Sequence, residues 1–172
     1  VKYTDIKSFY PSIPHNLALN SWKSACDASK INSKHQDLGE KILADHLQTA
    51  THNGTRSGIL TGPMFSHMIG NLVLRTVDTQ MNKIMNGRYF RYVDDIILTG
   101  DEGQVNRGRE LLSQTLNQMG LHLHNMDKDF SVSSSEWLDG EHDFENNDQP
   151  PNWITLIGGL KQLLFLKPNI IK

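Results

Sequence analysis

Over residues 1–6, "VKYTDI", apolar and polar side chains alternate, and Pro11 and Pro14 follow closely, which predicts a short strand ended by a turn. From Asn16 to about Ile31 the spacing becomes helical, carried by Leu17, Leu19, Trp22, Ala25 and Cys26. A second helix is expected from Gln36 to Thr51 through Leu38, Ile42, Leu43 and Leu47, followed by the polar loop "THNGTRSG". Gly58 to Pro63, "GILTGP", then feeds a long helical pattern from about Met64 to Met85, with Met68, Ile69, Leu72, Val73, Val77, Met81 and Ile84 facing inward. Asn86-Gly87 is a helix stop signal. Beyond it, Tyr89–Val93 and Ile96–Thr99 read as the two strands of a hairpin. "EGQVNRGRELLSQTLNQMG" reads as an amphipathic helix through Val105, Leu112, Leu116 and Met119, stopped by Gly120. "LHLHN" reads as one more strand, with His122 and His124 turned to solvent. This order defines an α+β fold, with helices packed on one face of a mainly antiparallel sheet.

The chain has 172 residues, 37% of them hydrophobic and 21% charged, which fits one domain with a proper core and excludes the composition of a disordered segment. A single cysteine, Cys26, rules out an intramolecular disulfide and a cysteine-based zinc site, so a reducing, cytoplasmic setting is expected and Cys26 is expected to be packed. The longest apolar run, "WITLIGGLKQLLFL" from Trp153, is broken by Lys161 and Gln162 and is too short to span a bilayer, so no membrane role follows. The chain opens without methionine on a strand-like run, which reads as a piece of something longer. Residues 1–135 form the main body on this reading. Residues 136–151, acidic and punctuated by proline, read as an exposed loop or linker, and residues 152–172 as a packed element for which helix and strand both stay open.

Candidate chemistry centres on Arg88 to Gly100, "RYFRYVDDIILTG". Aspartate is a poor strand former, and two adjacent carboxylates at one bend repel unless a cation lies between them. A lone acidic pair in a turn is most often simply solvated. Here the flanking strands are apolar and aromatic, and a third carboxylate, Asp5, ends the first strand. If the two elements are neighbours in one sheet, Asp5 and Asp94 meet at one edge. Three converging carboxylates suit Mg²⁺, with Mn²⁺ able to substitute, and two such ions would serve phosphoryl or nucleotidyl transfer.

The same residues carry a family resemblance, ordered along the chain from residue 2 to residue 128. "TDIKSFYPSI" resembles the first palm motif of reverse transcriptases, with Asp5 followed by the aromatic Tyr10. "GILTGPMFSHMIGNLVL" resembles the second, with Gly62-Pro63, Ser66 and Asn71-Leu72 in place. "YVDD", Tyr92 to Asp95, resembles the catalytic third motif, and "GLHLHNMDK", Gly120 to Lys128, the fourth. The variant is similar to bacterial retron, group II intron and phage-defence reverse transcriptases. Thr61 departs from the pattern, since many relatives carry glutamine there. The fifth motif, a hairpin that grips the primer, has only "SEWLDG" or "ITLIGG" to stand in for it.

The resemblance implies an RNA-directed DNA polymerase palm over residues 1–135, with residues 152–172 ending the palm or starting a thumb. Asp5 and Asp94 would bridge two Mg²⁺ ions, Asp95 would complete the acidic site, and the Ile6 carbonyl would be a further ligand. Phe9 and Tyr10 would lie at the incoming nucleotide, Tyr10 under the sugar as a gate against a 2′-hydroxyl. Thr61, Gly62 and Pro63 would lie against the nascent base pair, Tyr92 near the primer end, and Lys128 near the leaving pyrophosphate as a proton donor. The implied partners are an RNA template, a DNA or RNA primer, deoxynucleoside triphosphates, and fingers and thumb regions outside this chain. A net charge of −2 accords with a palm that holds the carboxylates while other regions hold the basic phosphate contacts. The competing readings are an RNA-dependent or template-independent polymerase on the same palm, and a non-catalytic palm acting as a binding module. Each residue also has a plainer role: Tyr10 beside Phe9 as core, Lys128, Arg88 and Arg91 as surface charge, Ser66 and Asn71 as ties between the long helix and its preceding loop.

Overall fold

A computed structural model describes residues 1–51, 58–124 and 129–139. In chain order the elements are β1 (Lys2–Asp5), α1 (Phe9–Ser12), α2 (His15–Ala28), α3 (Ser33–Thr51), α4 (Met64–Met85), β2 (Tyr89–Tyr92), β3 (Asp95–Leu98), α5 (Glu102–Gln118), β4 (Phe130–Ser131) and α6 (Ser134–Asp139). The class is α+β. The described strands form one antiparallel sheet in the order β2-β3-β1-β4.

The sheet has one covered and one open face because its strands alternate with period two. On the covered face Thr4, Ile6, Ile96 and Leu98 are all fully buried, and Tyr89 nearly so. Helices α4 and α5 pack there, against β2 and β3. On the open face Phe90 and Tyr92 are 53% and 79% exposed, while Tyr3 stacks on Phe130 with ring centroids 5.1 Å apart. Helix α4 runs through the middle of the core between α2 and α5, and buries Ile69, Val73, Leu74, Val77, Met81 and Met85. Its ends are those expected from its periodicity. Asn86 takes a left-handed conformation (φ 50°) and Gly87 follows at φ 77°, so the chain reverses into β2. The buried stripe is rotated from the expected one, since Met68 and Ile84 are exposed while Leu74 and Met85 are inside. Two-sided packing between α2 and α5 widens and turns the apolar face beyond a single heptad-like stripe.

Helix α5 begins with a reciprocal capping box. Asp101 accepts from the Gln104 backbone N–H at 2.8 Å and the Gln104 side chain accepts from the Asp101 N–H. Cys26 is buried, as expected. One expected strand is not there: "LHLHN" contributes a single bridge, Leu123 to Ile6, flanked by hydrogen bonds from Lys7 N to His122 O and from His124 N to Asp5 O. The reason lies in its partner. Strand β1 stops at Asp5, and Ser8 at φ 48° turns the chain into α1, which leaves nothing for a longer ladder. The fourth strand is instead Phe130–Ser131, beside Lys2 and Tyr3.

Of the stretch expected as a loop, Glu136–Asp139 are helical in α6, so "SEWLDG" does not form a hairpin over Ser135–Asp139. The rest of that linker, the element at 152–172 with "ITLIGG", and most of the loop after α3 lie outside the described residues. Among the described residues, no helix is long and apolar enough to cross a membrane.

The sheet's outer strand is pinned by charge. Asp129 accepts from Arg109 on α5, with Nε at 2.8 Å, and pairs with Lys2 on β1 at 2.8 Å. Burial opposes ionisation of Asp129, but Arg109 and then Lys2 outweigh it and hold the carboxyl below its ordinary value. A depressed carboxylate pKa stabilises the fold above the unfolded value and loses that contribution as pH falls through the folded one. Asp129→Asn is expected to cost roughly 1–3 kcal/mol, between exposed and buried ion pairs. The check is chemical denaturation at pH 7 and near pH 3, where the difference between the two proteins should shrink.

Candidate active site

The register of β1 against β3 builds the site. Asp5 lies directly opposite Asp95, and Tyr92 pairs with Asp95 across the hairpin, so Val93 and Asp94 form a two-residue turn. The direct cross-strand partner of Asp5 is therefore Asp95, while Asp94 comes to β1 through its backbone: the Ile6 N–H donates to the Asp94 carbonyl at 3.2 Å. The N–H and C=O of an extended residue point the same way, so the Ile6 carbonyl also faces the hairpin turn. Its side chain is fully buried in the core.

One phenol feels the charge of all three carboxylates. Tyr3, two residues before Asp5 and hence on the same face, donates its hydroxyl to Asp95 Oδ1. Burial first, the hydrogen bond to Asp95 next, and the negative charges of Asp95, Asp5 and Asp94 together push the Tyr3 phenol far above its ordinary value. Local pattern reading missed Tyr3. The period-two spacing to Asp5 is the signal that points to it.

The short helix α1 places Phe9 and Tyr10 against α4. Gly70 makes this possible, because a Cβ there would come within 3.0 Å of Phe9 Cε1 and 3.3 Å of Tyr10 Cε1. Phe9 is 2% exposed, so its side chain is packed in the core, whereas the resemblance implies a place at the incoming nucleotide. Tyr10 is 9% exposed and its hydroxyl shares a 2.6 Å hydrogen bond with His67 Nδ1 on α4, a partner the sequence reading did not find. Burial, then the charge of Asp94, raise the Tyr10 phenol, while Arg91 opposes them.

The segment before α4 is tied to α1, since Gly58 N donates to Ile13 O at 2.8 Å and Ile59 N to Tyr10 O at 2.9 Å. Thr61 and Gly62 are exposed beyond those ties, and Pro63 caps α4. Gly62 has φ 112°, a conformation closed to other residues although the space beside it is open. Ser66 is buried in α4. Asn71 ties α4 to the hairpin instead of to the preceding loop, accepting from Arg91. Arg91 itself is 10% exposed at its side chain and turned toward α4, so it is not the surface charge expected. His122 is exposed, bonded to Asn117 at 2.6 Å, whereas His124 is half-buried. Lys128 lies outside the described residues.

For a divalent cation the donor chemistry fits: carboxylates and a backbone carbonyl are the hard oxygen ligands that Mg²⁺ takes. Among the described residues no group of three or more His, Cys, Asp or Glu is arranged to hold a metal ion, and Asp95 is engaged by Tyr3. A scan of protein-family models finds none that matches the chain, and a search of curated proteins finds no significant relative.

Removing the Asp95 charge removes one of the causes that raise Tyr3 and weakens another, because an amide oxygen is a poorer acceptor than a carboxylate. In Asp95→Asn the Tyr3 phenol is therefore expected to ionise at lower pH than in the parent, read by NMR titration of ¹³Cζ-labelled tyrosine. An unchanged Tyr3 titration would show that the phenol does not sense this carboxylate.

Proposed function

We propose that the chain is the catalytic palm of an RNA-directed DNA polymerase, which adds deoxynucleotides to a primer 3′-hydroxyl. The observation that carries the reading is the pairing of Asp5 with Asp95 in adjacent strands, with Asp94 at the turn beside Ile6. Carboxylates at directly opposed strand positions are destabilising unless a cation is part of their function. The ordered motif resemblance supplies the reaction class.

On this reading Asp5, Asp94, Asp95 and the Ile6 carbonyl would hold two Mg²⁺ ions, which when bound would lower the pKa of the attacking hydroxyl and neutralise the leaving pyrophosphate. Tyr3 holds Asp95 through Oδ1, and the second carboxylate oxygen would serve the cation. Tyr10 forms the floor beneath the sugar. The ring is 9% exposed, packs beside Phe9 over Gly70 and is tied to His67 through its hydroxyl, the fixed placement that steric exclusion of a 2′-hydroxyl requires. Thr61, Gly62 and Pro63 lie along the nascent base pair, Tyr92 presents an exposed ring to the primer end, and Lys128 donates a proton to pyrophosphate. RNA template and primer are held largely by basic regions other than the palm.

The engagement of Asp95 by Tyr3 favours one competing reading, a non-catalytic palm that binds partners without turnover. Primer extension by the full polypeptide separates the two. DNA synthesis on an RNA template should require Mg²⁺ or Mn²⁺ and fall to background in Asp94→Asn. Synthesis that persists in that variant would remove Asp94 from the chemistry, and no synthesis by the parent protein would favour the binding module.

Sugar selection has its own test. Tyr10→Ala is expected to raise ribonucleotide incorporation relative to deoxynucleotides by about tenfold or more, since removing a steric wall forfeits discrimination of that order. The ratio of kcat/KM for matched nucleotide pairs reads it, and an unaltered ratio would eliminate Tyr10 as the gate.

A further inference from the structure

The turn that carries Asp94 is held in a costly conformation. Val93 has φ 58°, and it is a β-branched residue at a backbone position where a left-handed geometry is rare. Among the turn residues only Val93 is positive, the pattern of a hairpin turn whose first central position ordinarily belongs to glycine. Something must hold it there.

Arg91, two residues earlier on β2, does so from the covered face. Its Nη1 donates to the Val93 carbonyl at 2.7 Å and to Asn71 Oδ1 at 3.2 Å. Its Nε and Nη2 grip Asp78 of α4 in a fork, at 2.8 Å to Oδ1 and 2.6 Å to Oδ2, and the Tyr89 hydroxyl donates to the same Oδ1 at 2.8 Å. The guanidinium is thus fixed by α4, the helix that runs through the core, and spends one N–H on the peptide that joins Val93 to Asp94. Orienting that carbonyl orients the peptide plane, and with it the Cα–Cβ direction of Asp94.

We infer that Arg91, anchored by Asp78 and Asn71, is a positioning residue that holds the strained Val93–Asp94 peptide and so aims the Asp94 carboxylate into the site. The inference rests on the polymerase reading and adds to it a residue that touches neither nucleotide nor cation. Lysine keeps the charge at this position but lacks the planar fork that serves Asp78 and the Val93 carbonyl together.

The test is steady-state primer extension by the full polypeptide, comparing the parent, Arg91→Lys, Val93→Gly and the double variant, with the exposed Arg75→Lys as a control for the same change on α4. Arg91→Lys should lower kcat by about 10- to 100-fold, the effect of a small misplacement of a reacting group, with KM for the nucleotide within about threefold. Adding Val93→Gly should restore at least about fivefold of that loss, because glycine adopts the turn without a clamp. Rescue of this kind is not expected of a residue whose role is only to stabilise the fold. On the same proteins without substrate, Arg91→Lys should shift the Val93 and Asp94 amide resonances while Arg75→Lys leaves them in place. If the parent extends primers and Arg91→Lys keeps its kcat, or loses it without rescue by Val93→Gly, the inference fails and the polymerase reading stands. If the parent does not extend primers, both fall.

Discussion

The antiparallel register of β1 on β3 is the constraint on which the rest of the molecule depends. Slipping it by one residue would carry Asp5 to the covered face and Thr4, fully buried now, to the open one. The apolar set Ile6, Ile96 and Leu98 forbids this, because each is completely buried against α4 and α5. Core packing on one side of the sheet therefore determines where the carboxylates stand on the other. The hydrophobic effect holds a like-charged pair together that electrostatics alone would separate. Burying three aliphatic side chains contributes several kcal/mol, at about 1.5–3 kcal/mol each, against a repulsion of roughly 4 kcal/mol for charges at contact distance near a protein surface.

Helix α4 transmits that constraint to every other part of the site. Its first residues follow Thr61, Gly62 and Pro63, its glycine at position 70 seats Phe9 and Tyr10, His67 meets the Tyr10 hydroxyl, and Asn71 with Asp78 takes Arg91. These contacts lie along one element, so the aromatic pair of α1, the loop before α4 and the acidic hairpin are positioned relative to one another. Strand β4 and the Asp129 ion pairs close the opposite edge of the sheet, where they hold Lys2 and leave the open face to Tyr3 and Phe130.

Much of this was legible in the residues, for physical reasons that differ element by element. Helix α4 was readable to its last residue because a long amphipathic run ends at Asn86-Gly87, and the hairpin because two apolar runs flank one acidic bend. The strand expected at "LHLHN" was not, because alternation reports that Leu121 and Leu123 are buried and says nothing about whether a partner strand is long enough to pair. Tyr3, His67 and Asp78 escaped notice because each matters through a partner distant in sequence: Asp95, Tyr10 and Arg91. Arg91 was misjudged for the same reason. A local reading sees an arginine in a strand, and only the tertiary structure supplies the carboxylate that draws it inward.

Magnitudes explain why the turn can hold its strain. A left-handed residue with a side chain costs roughly 1–2 kcal/mol. A hydrogen bond from a charged donor contributes about 1.5–3 kcal/mol, and the Arg91 guanidinium makes four, three of them to Asp78 and the Val93 carbonyl. Desolvation of the guanidinium removes part of that gain, but its fork to Asp78 returns most of it, and Asp78 raises the Arg91 pKa even against the effect of burial. The clamp therefore outweighs the strain. The cost of holding Val93 falls on a network behind the sheet, on the face opposite Asp5 and Asp95.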